Sequence, residues 1–173
     1  MAEQRRVPDL AQMNEQAAHT FLTELYSLLC AEAEDRIRHD EYTMEWPQSG
    51  ERLRGREKMK AFQESNAGGR PPRWPRRVLV REGLWVVEGS VDYGGGRDLD
   101  FVLILELRDG KVFKETRYYA EPFEASEARA RWFERMERRR RAAIASASRV
   151  WAFSRRWSSS ILRCQATRST MSG

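Results

Sequence analysis

The stretch from Leu84 to Tyr119 restricts the possible folds more than any other part of the chain. LWVVEGSVDY is β-branched and aromatic, GGGRD is a turn, DFVLILEL is nearly all apolar, RDGK is a second turn, and VFKETRYY returns with alternation. This pattern predicts three antiparallel strands in a meander. Asp109-Gly110 is the sharper reversal, because a tight hairpin needs positive φ, which Gly meets freely and Asp tolerates. Gly94-Gly95-Gly96 predicts a looser, longer turn.

Upstream, Leu10, Met13, Ala17, Phe21, Leu25, Leu28 and Leu29 recur at three- and four-residue spacing. They predict one long helix, capped by Asp9 and ending near Ala33 to Arg36, whose oily face covers the sheet. HDEYTMEWP reads as a short strand with Tyr42, Met44 and Trp46 on one face until Pro47 stops it. QSGERLRG is expected as a loop. Gly55 then opens a short helix, REKMKAFQES, with Met59 and Phe62 on one face. NAGGRPPRWP is expected to be irregular, because paired Gly and three Pro deny it either regular ladder. RRVLVRE begins the sheet proper and turns at Glu82-Gly83. After Tyr119, AEPF breaks the last strand, and SEARARWFERM predicts a further helix that Ser126 can cap.

At 173 residues the chain suits one domain with a core that needs no disulfide or metal. The organisation expected is a loose N-terminus over 1–9, a body over 10–136 and a basic tail over 137–173. The net charge of +5 hides a split: residues 1–136 hold 22 Lys and Arg against 25 Asp and Glu, and residues 137–173 hold nine against one. Basicity therefore belongs to the tail, and no nucleic-acid-binding body follows from it. Cys30 and Cys164 lack a CxxC pair or a neighbouring His, so their spacing predicts neither a disulfide framework nor a zinc site. The first residues lack the apolar core of a secretory signal, and no stretch has the apolar length of a membrane span. A cytoplasmic location is the expectation.

The order of elements, with Glu45-Trp46-Pro47, Leu53-Arg54-Gly55-Arg56-Glu57, Asp109-Gly110-Lys111-Val112 and Arg117-Tyr118-Tyr119 before Pro122, resembles the nuclear transport factor 2-like superfamily. Within it the likeness is to the SnoaL-like polyketide cyclase and ketosteroid isomerase relatives, over about residues 10 to 136. The resemblance implies an α+β fold, a cone in which a curved antiparallel sheet wraps the long helix. It also implies a pocket for a small organic ligand at the open end and often a homodimer across the outer sheet face. Isomerases, cyclases, hydratases, dehydratases and noncatalytic modules share the fold, so fold alone does not select among them. The isomerase relatives place a carboxylate base just before a proline at the end of the first strand. Here that position is Trp46, which suits the floor of a pocket for a flat or apolar ligand, or simple packing under the first helix.

Alternation on the last strand puts Glu115, Arg117 and Tyr119 on one face and Lys114, Thr116 and Tyr118 on the other. An acid, a fixed cation and a phenol together suit proton transfer near a carbonyl, with Tyr119 the first residue to test. The competing reading is that Glu115 and Arg117 satisfy each other structurally. Asp92 is a further candidate acid, and Glu88 on the same face, with Trp46 and Phe62, a candidate ligand-binding residue. Here too the alternative is pairing with Arg on a solvated outer face. His19 and His39 have no metal-ligand neighbours at useful spacing, and no GxSxG, HExxH or phosphate-binding Gly loop is present, so no metal or cofactor is expected.

Residues 137–173 admit three readings. They are a disordered Ser/Arg/Ala-rich segment, a basic amphipathic helix with Ile144, Ala147, Trp151, Trp157 and Ile161 on one stripe, or a segment not selected for structure. The second would favour an anionic lipid or nucleic-acid surface.

Overall fold

The computed structural model describes residues 8–65, 71–94, 98–134 and 136. Six strands form one mixed sheet: β1 (Arg38–Trp46), β2 (Glu51–Arg54), β3 (Arg73–Arg81), β4 (Leu84–Asp92), β5 (Asp98–Arg108) and β6 (Lys111–Ala120), in the order β2-β1-β6-β5-β4-β3. Helices α1 (Glu15–Ser27), α2 (Ala31–Asp35) and α3 (Arg56–Glu64) are the three α-helices among the described residues. The basic tail, 137–173, and its three readings lie outside the described residues.

The meander is present as expected. Asp109 and Gly110 both take positive φ, 52° and 69°, so the β5–β6 reversal has the backbone handedness that matches strand twist. The same turn ties down the N-terminal segment, since the Leu10 amide donates to the Gly110 carbonyl. Trp85, Val87 and Val91 alternate inward on β4 and oppose Leu105, Leu103 and Leu99 on β5. On the next rung outward, Leu105, Leu103 and Phe101 oppose Glu115, Arg117 and Tyr119 of β6. The inner face is thus apolar in its centre and charged toward β6.

Several expectations are corrected. The sheet is not wholly antiparallel, because β1, from early in the chain, pairs with β6 in parallel. QSGERLRG is not only a loop: residues 47–50 reverse the chain, with the Gly50 amide donating to the Trp46 carbonyl, and Glu51–Arg54 return along β1. The long first helix is three pieces. Asp9 caps a 3₁₀ turn at Leu10–Gln12, Asn14 accepts from the Ala17 amide and starts α1 afresh, and Leu29 at φ 51° separates α1 from α2. Restarting at Asn14 rotates the buried stripe to Ala18, Phe21, Leu22, Leu25 and Tyr26, leaving Ala17 exposed. On α3 the buried pair is Met59 and Gln63, with Phe62 beside it at 38% exposure.

Strand β3 begins earlier than expected, at Arg73, with a register shift between Pro75 and Arg77. As an edge strand it tolerates a proline there. The helix expected over 126–136 is only a 3₁₀ turn, Glu127–Arg129. Ser126 makes no side-chain cap, and Trp132 and Phe133 stay mostly exposed, so no apolar face is buried to hold a helix. Cys30 is buried, and it is not a free thiol; Cys164 lies outside the described residues. No described helix is long and apolar enough to cross a membrane.

Gly89 is required by close packing rather than by a turn. A Cβ at this position would overlap the Trp74 carbonyl oxygen and the Phe101 ring. Gly89→Ala should therefore cost ~1–3 kcal/mol, the usual range for overpacking a core. Urea unfolding checks this, and a variant within ~0.5 kcal/mol of the parent, the range of neutral surface changes, would show that the sheet yields there.

Candidate functional site

The C-terminal ends of β1, β4 and β6 lie at one end of the sheet and bring together the aromatic and charged residues of the site. Gln48, just past β1, anchors β6 by donating from Nε2 to the Tyr119 carbonyl at 2.6 Å and accepting the Tyr119 amide at 2.7 Å. Half-buried Trp46 packs edge-on to Phe62, with ring centroids 6.0 Å apart. Tyr119 meets Tyr93 in the same manner at 6.3 Å. Tyr93 is 54% exposed, and partial desolvation of its hydroxyl, then the neighbouring Tyr119 phenol, raise its pKa.

Glu115 and Arg117 lie beneath these rings, 6% and 5% exposed. The Tyr42 hydroxyl donates to Glu115 Oε2 at 2.6 Å, and Arg117 Nε donates to Glu115 Oε1 at 2.8 Å. Burial opposes ionisation of Glu115, but the Arg117 charge and hydrogen bond, the Arg38 charge and the Tyr42 hydroxyl outweigh it. Its carboxyl is held below the usual carboxylate range. Tyr42 moves the other way, raised by burial and then by the Glu115 charge, so it stays a neutral donor. Arg117 sits 6.0 Å from the centroid of the Trp46 ring. Among the described residues two buried side-chain donors lack a partner, Arg117 Nη2 and Trp46 Nε1.

A second buried cluster adjoins the first. Glu34, ending the helical segment before β1, accepts from Arg38 Nη2 at 3.1 Å, from Gln63 Nε2 at 3.1 Å and from Arg73 Nη2. Arg38 also donates to Gln63 Oε1 at 3.0 Å and lies 5.0 Å over the Tyr42 ring, which links the two clusters. Arg73 lies 4.0 Å over the Tyr26 ring.

Of the expected residues, Glu115, Arg117 and Tyr119 share the inner face, and Trp46 and Phe62 border them. Glu88 does not. It lies on the outer face, where Arg77 Nε donates to it at 3.0 Å and Arg76 approaches to 3.3 Å. Asp92 shares the parity of Glu88 on β4, and its Oδ1 accepts from the Gly94 amide at 2.7 Å, forming a local turn. Glu88 follows the competing reading, in which Arg partners on the neighbouring strand satisfy an acid on the outer face. The sequence reading missed Glu34, Arg38, Gln63 and Arg73. Arg38 carries the one usable signal, even-numbered parity with Tyr42, Met44 and Trp46.

Two surface grooves lie elsewhere. One of about 440 Å³ runs over β1, β2 and β6, beside Glu45, Arg52, Arg54 and Lys114, and one of about 450 Å³ lies beside Asp35, Asp40 and Arg56. Most of these charges already pair: Glu45 takes Arg52 and Lys114, and Arg56 takes Asp35 and Asp40. The unpartnered donors at Arg117 and Trp46 therefore mark the stronger candidate site. Among the described residues no three His, Cys, Asp or Glu side chains cluster as a metal would need.

No protein-family model and no curated protein matches the chain. Solved structures do. An NTF2-like protein of unknown function from Burkholderia xenovorans is 36% identical, with 69% of this chain and 90% of that chain covered and a TM-score of 0.56. A proposed ketosteroid isomerase from Kribbella flavida is 22% identical over 70% of this chain and 91% of its own, with a TM-score of 0.60. An NTF2-like protein of unknown function from Mesorhizobium loti is 14% identical over 62% and 96%, with a TM-score of 0.51. The last two share the fold.

Because the folded Glu115 pKa is depressed, its ionic contribution is complete above the unfolded value and is lost only as pH falls through the lower folded one. Glu115→Gln leaves Arg117 buried without its charge partner. At pH 7 it should cost ~3–5 kcal/mol, and the gap to the parent should narrow below about pH 4, where an unfolded carboxylate protonates. Chemical denaturation at several pH values reads this directly. A gap that stays constant with pH would mean that folding leaves the Glu115 pKa unshifted, and one that widens toward low pH that its carboxyl is neutral in the fold.

Proposed function

The chain belongs to the nuclear transport factor 2-like superfamily, and from that premise we propose that it binds a small organic molecule at the end of the sheet bordered by Trp46, Phe62, Tyr93 and Tyr119, above Arg117. In this reading the sheet and helices make a cone whose open end is that aromatic border, and the tail is an appendage to a body of residues 10–136. The observation that carries the proposal is the pair of buried donors, Arg117 Nη2 and Trp46 Nε1, that no protein atom satisfies. An unmet buried donor costs ~1–3 kcal/mol, and more when charged, so a fold that retains two in one contact gains by presenting them to something that accepts.

Binding is better supported than proton transfer. Glu115 is ionised and occupied by two donors, which leaves it a weak base and no acid. One observation favours the second reading, a cofactor-independent isomerase, cyclase or hydratase/dehydratase acting near a carbonyl. The half-buried Tyr119 stands on the inner face beside a second phenol, an arrangement able to lend a proton to a carbonyl oxygen.

On the outer face, Leu79, Val102 and Tyr118 are 47%, 36% and 40% exposed, and Val86 and Ile104 connect them across β3–β6. This apolar surface supports a homodimer through the sheet, which sedimentation velocity tests by reading monomer mass or twice that mass. A cytoplasmic location is part of the same reading, and fractionation of the native host would test it.

Thermal-shift screening of the full chain against small carbonyl, steroid-like and aromatic polyketide-like compounds tests the ligand proposal. A true ligand at about a hundred times its Kd stabilises by ~2.7 kcal/mol, which is several degrees in melting temperature for a domain of this size. Tyr119→Phe should reduce the shift if the phenol touches the ligand. A flat response across the library would favour a noncatalytic dimerisation module.

A further inference from the structure

Within the connected cluster around Arg38 the buried charges do not balance. Among the described residues, Arg38, Arg73 and Arg117 are 2%, 8% and 5% exposed, and Glu34 and Glu115 are 5% and 6% exposed. Asp35 is also buried but belongs to a separate pair, with Arg56 Nη2 at 2.7 Å. Glu34 is shared by two guanidiniums, Arg38 and Arg73. Glu115 serves Arg117 through Nε alone. Three cations therefore face two carboxylates in one connected interior, and the excess positive charge is not solvated by exposure.

The unused bonding capacity lies at Arg117. Nη2 of this guanidinium is buried without a partner, and so is Nε1 of the indole next to it. An N–H cannot rest on another N–H, so neither donor can satisfy the other, and both ask for an acceptor. The remaining surroundings narrow that acceptor. Trp46 and Phe62 supply aromatic surface beside these donors, and Tyr119 follows Arg117 on the same strand face, while the Glu115 carboxylate, with both oxygens already bonded, repels a second anion from its own side. A compact anion on an apolar body, approaching from the Trp46 side, meets all of these conditions.

We propose that the ligand of this site is a small aromatic or apolar carboxylate, whose carboxylate accepts from Arg117 Nη2 and Trp46 Nε1 and completes the charge balance of the interior. The inference rests on the ligand-binding reading given above and specifies its chemical class. It is independent of any proton transfer, since a carboxylate held this way is anchored rather than activated. A guanidinium and an indole N–H together prefer an anion over its neutral amide, because a hydrogen bond to a charged group contributes roughly twice that of a neutral one.

The test uses the full chain and two matched pairs of probes, benzoate with benzamide and cinnamate with cinnamamide, measured by isothermal calorimetry at pH 7. Work at ~0.15 M salt, where exposed charges are screened beyond about 8 Å, suppresses binding to the basic tail. Each carboxylate should bind at least about tenfold more tightly than its amide, the ratio expected when ~1.4 kcal/mol separates charged from neutral acceptors. Trp46→Phe keeps the wall and removes the N–H, and should weaken the carboxylates about tenfold.

Arg117 alone is a hazardous target because its removal strands Glu115. The double variant Glu115→Gln with Arg117→Met removes cation and anion together, a change that buried pairs often tolerate, and should abolish the preference for carboxylates. Equal binding of acids and amides by the parent overturns the proposal, as does a preference that survives in the double variant. If neutral compounds from the wider library stabilise the chain but neither carboxylate binds, the anion inference fails and the pocket stands. If neither class binds, both fail.

Discussion

The Glu115 carboxylate is the constraint on which the interior depends, because it is buried on the inner face of β6 and cannot stay ionised there alone. Its charge is met from two elements, by Arg117 on its own strand and by the Tyr42 hydroxyl on β1. That second bond crosses the parallel β1–β6 junction, where Met44 and Glu115 are register partners. β1 comes from early in the chain and β6 from late, so the contact is long-range and fixes how the first half joins the meander. Such an arrangement is not justified by stability. Burying a pair of charges commonly breaks even against an apolar replacement, and the cost of desolvation is recovered only when every remaining lone pair and proton is satisfied. Here the carboxylate is satisfied and the guanidinium is not.

The legible parts of the fold were those dictated by local chemistry. Asp109-Gly110 needs positive φ at two successive positions, and few dipeptides accept that, so the reversal and its flanking strands follow from the residues. The same is true of β4, where strict alternation buries every second residue. The long first helix failed for a reason of the same scale. Periodicity runs through Asn14 and Leu29 without a break, but an Asn side chain that can cap an amide competes with a helix interior, and it wins at residue 14. Leu29 offers no such signal. A left-handed leucine is held by its surroundings, since nothing intrinsic to the side chain favours it. The short strand β2 was hidden because ERLR has no β-branched residue and buries only Leu53, and that only in part, so its place comes from pairing with β1.

Period two grouped the residues of each strand face but did not say which face of β4 is inside. On β6 it put Glu115, Arg117 and Tyr119 together, and the buried faces of β5 and β6 agree. On β4 it correctly grouped Glu88 with Asp92 but could not say which face was inside. The deciding fact is that Trp85, Val87 and Val91, of the opposite parity, meet the apolar row of β5. Arg77, the register partner of Glu88, then supplies the countercharge outside. Arg73 was beyond reach altogether, because it sits in a proline-rich stretch where no periodic argument applies, and Glu34 lies where the expected helix ends, with no sequence signal for its burial.

These placements bear on what the chemistry can be. A base for carbon acids needs a carboxylate whose proton affinity is raised by isolation. The carboxylate that is present, Glu115, is driven toward permanent ionisation by the cation beside it. Its role is then to orient: by taking Nε of Arg117 it fixes the plane of the guanidinium, and Tyr42 fixes the carboxylate in turn. What remains free is Arg117 Nη2, a directed donor on a rigid strand beside a donor on an aromatic wall. Preorganised donors of this kind stabilise negative charge wherever it resides, and in a ground-state carboxylate that charge is present before binding. The arrangement is therefore more effective at selecting an anion than at creating one, and catalysis at this end of the sheet would have to come from the Tyr119 phenol.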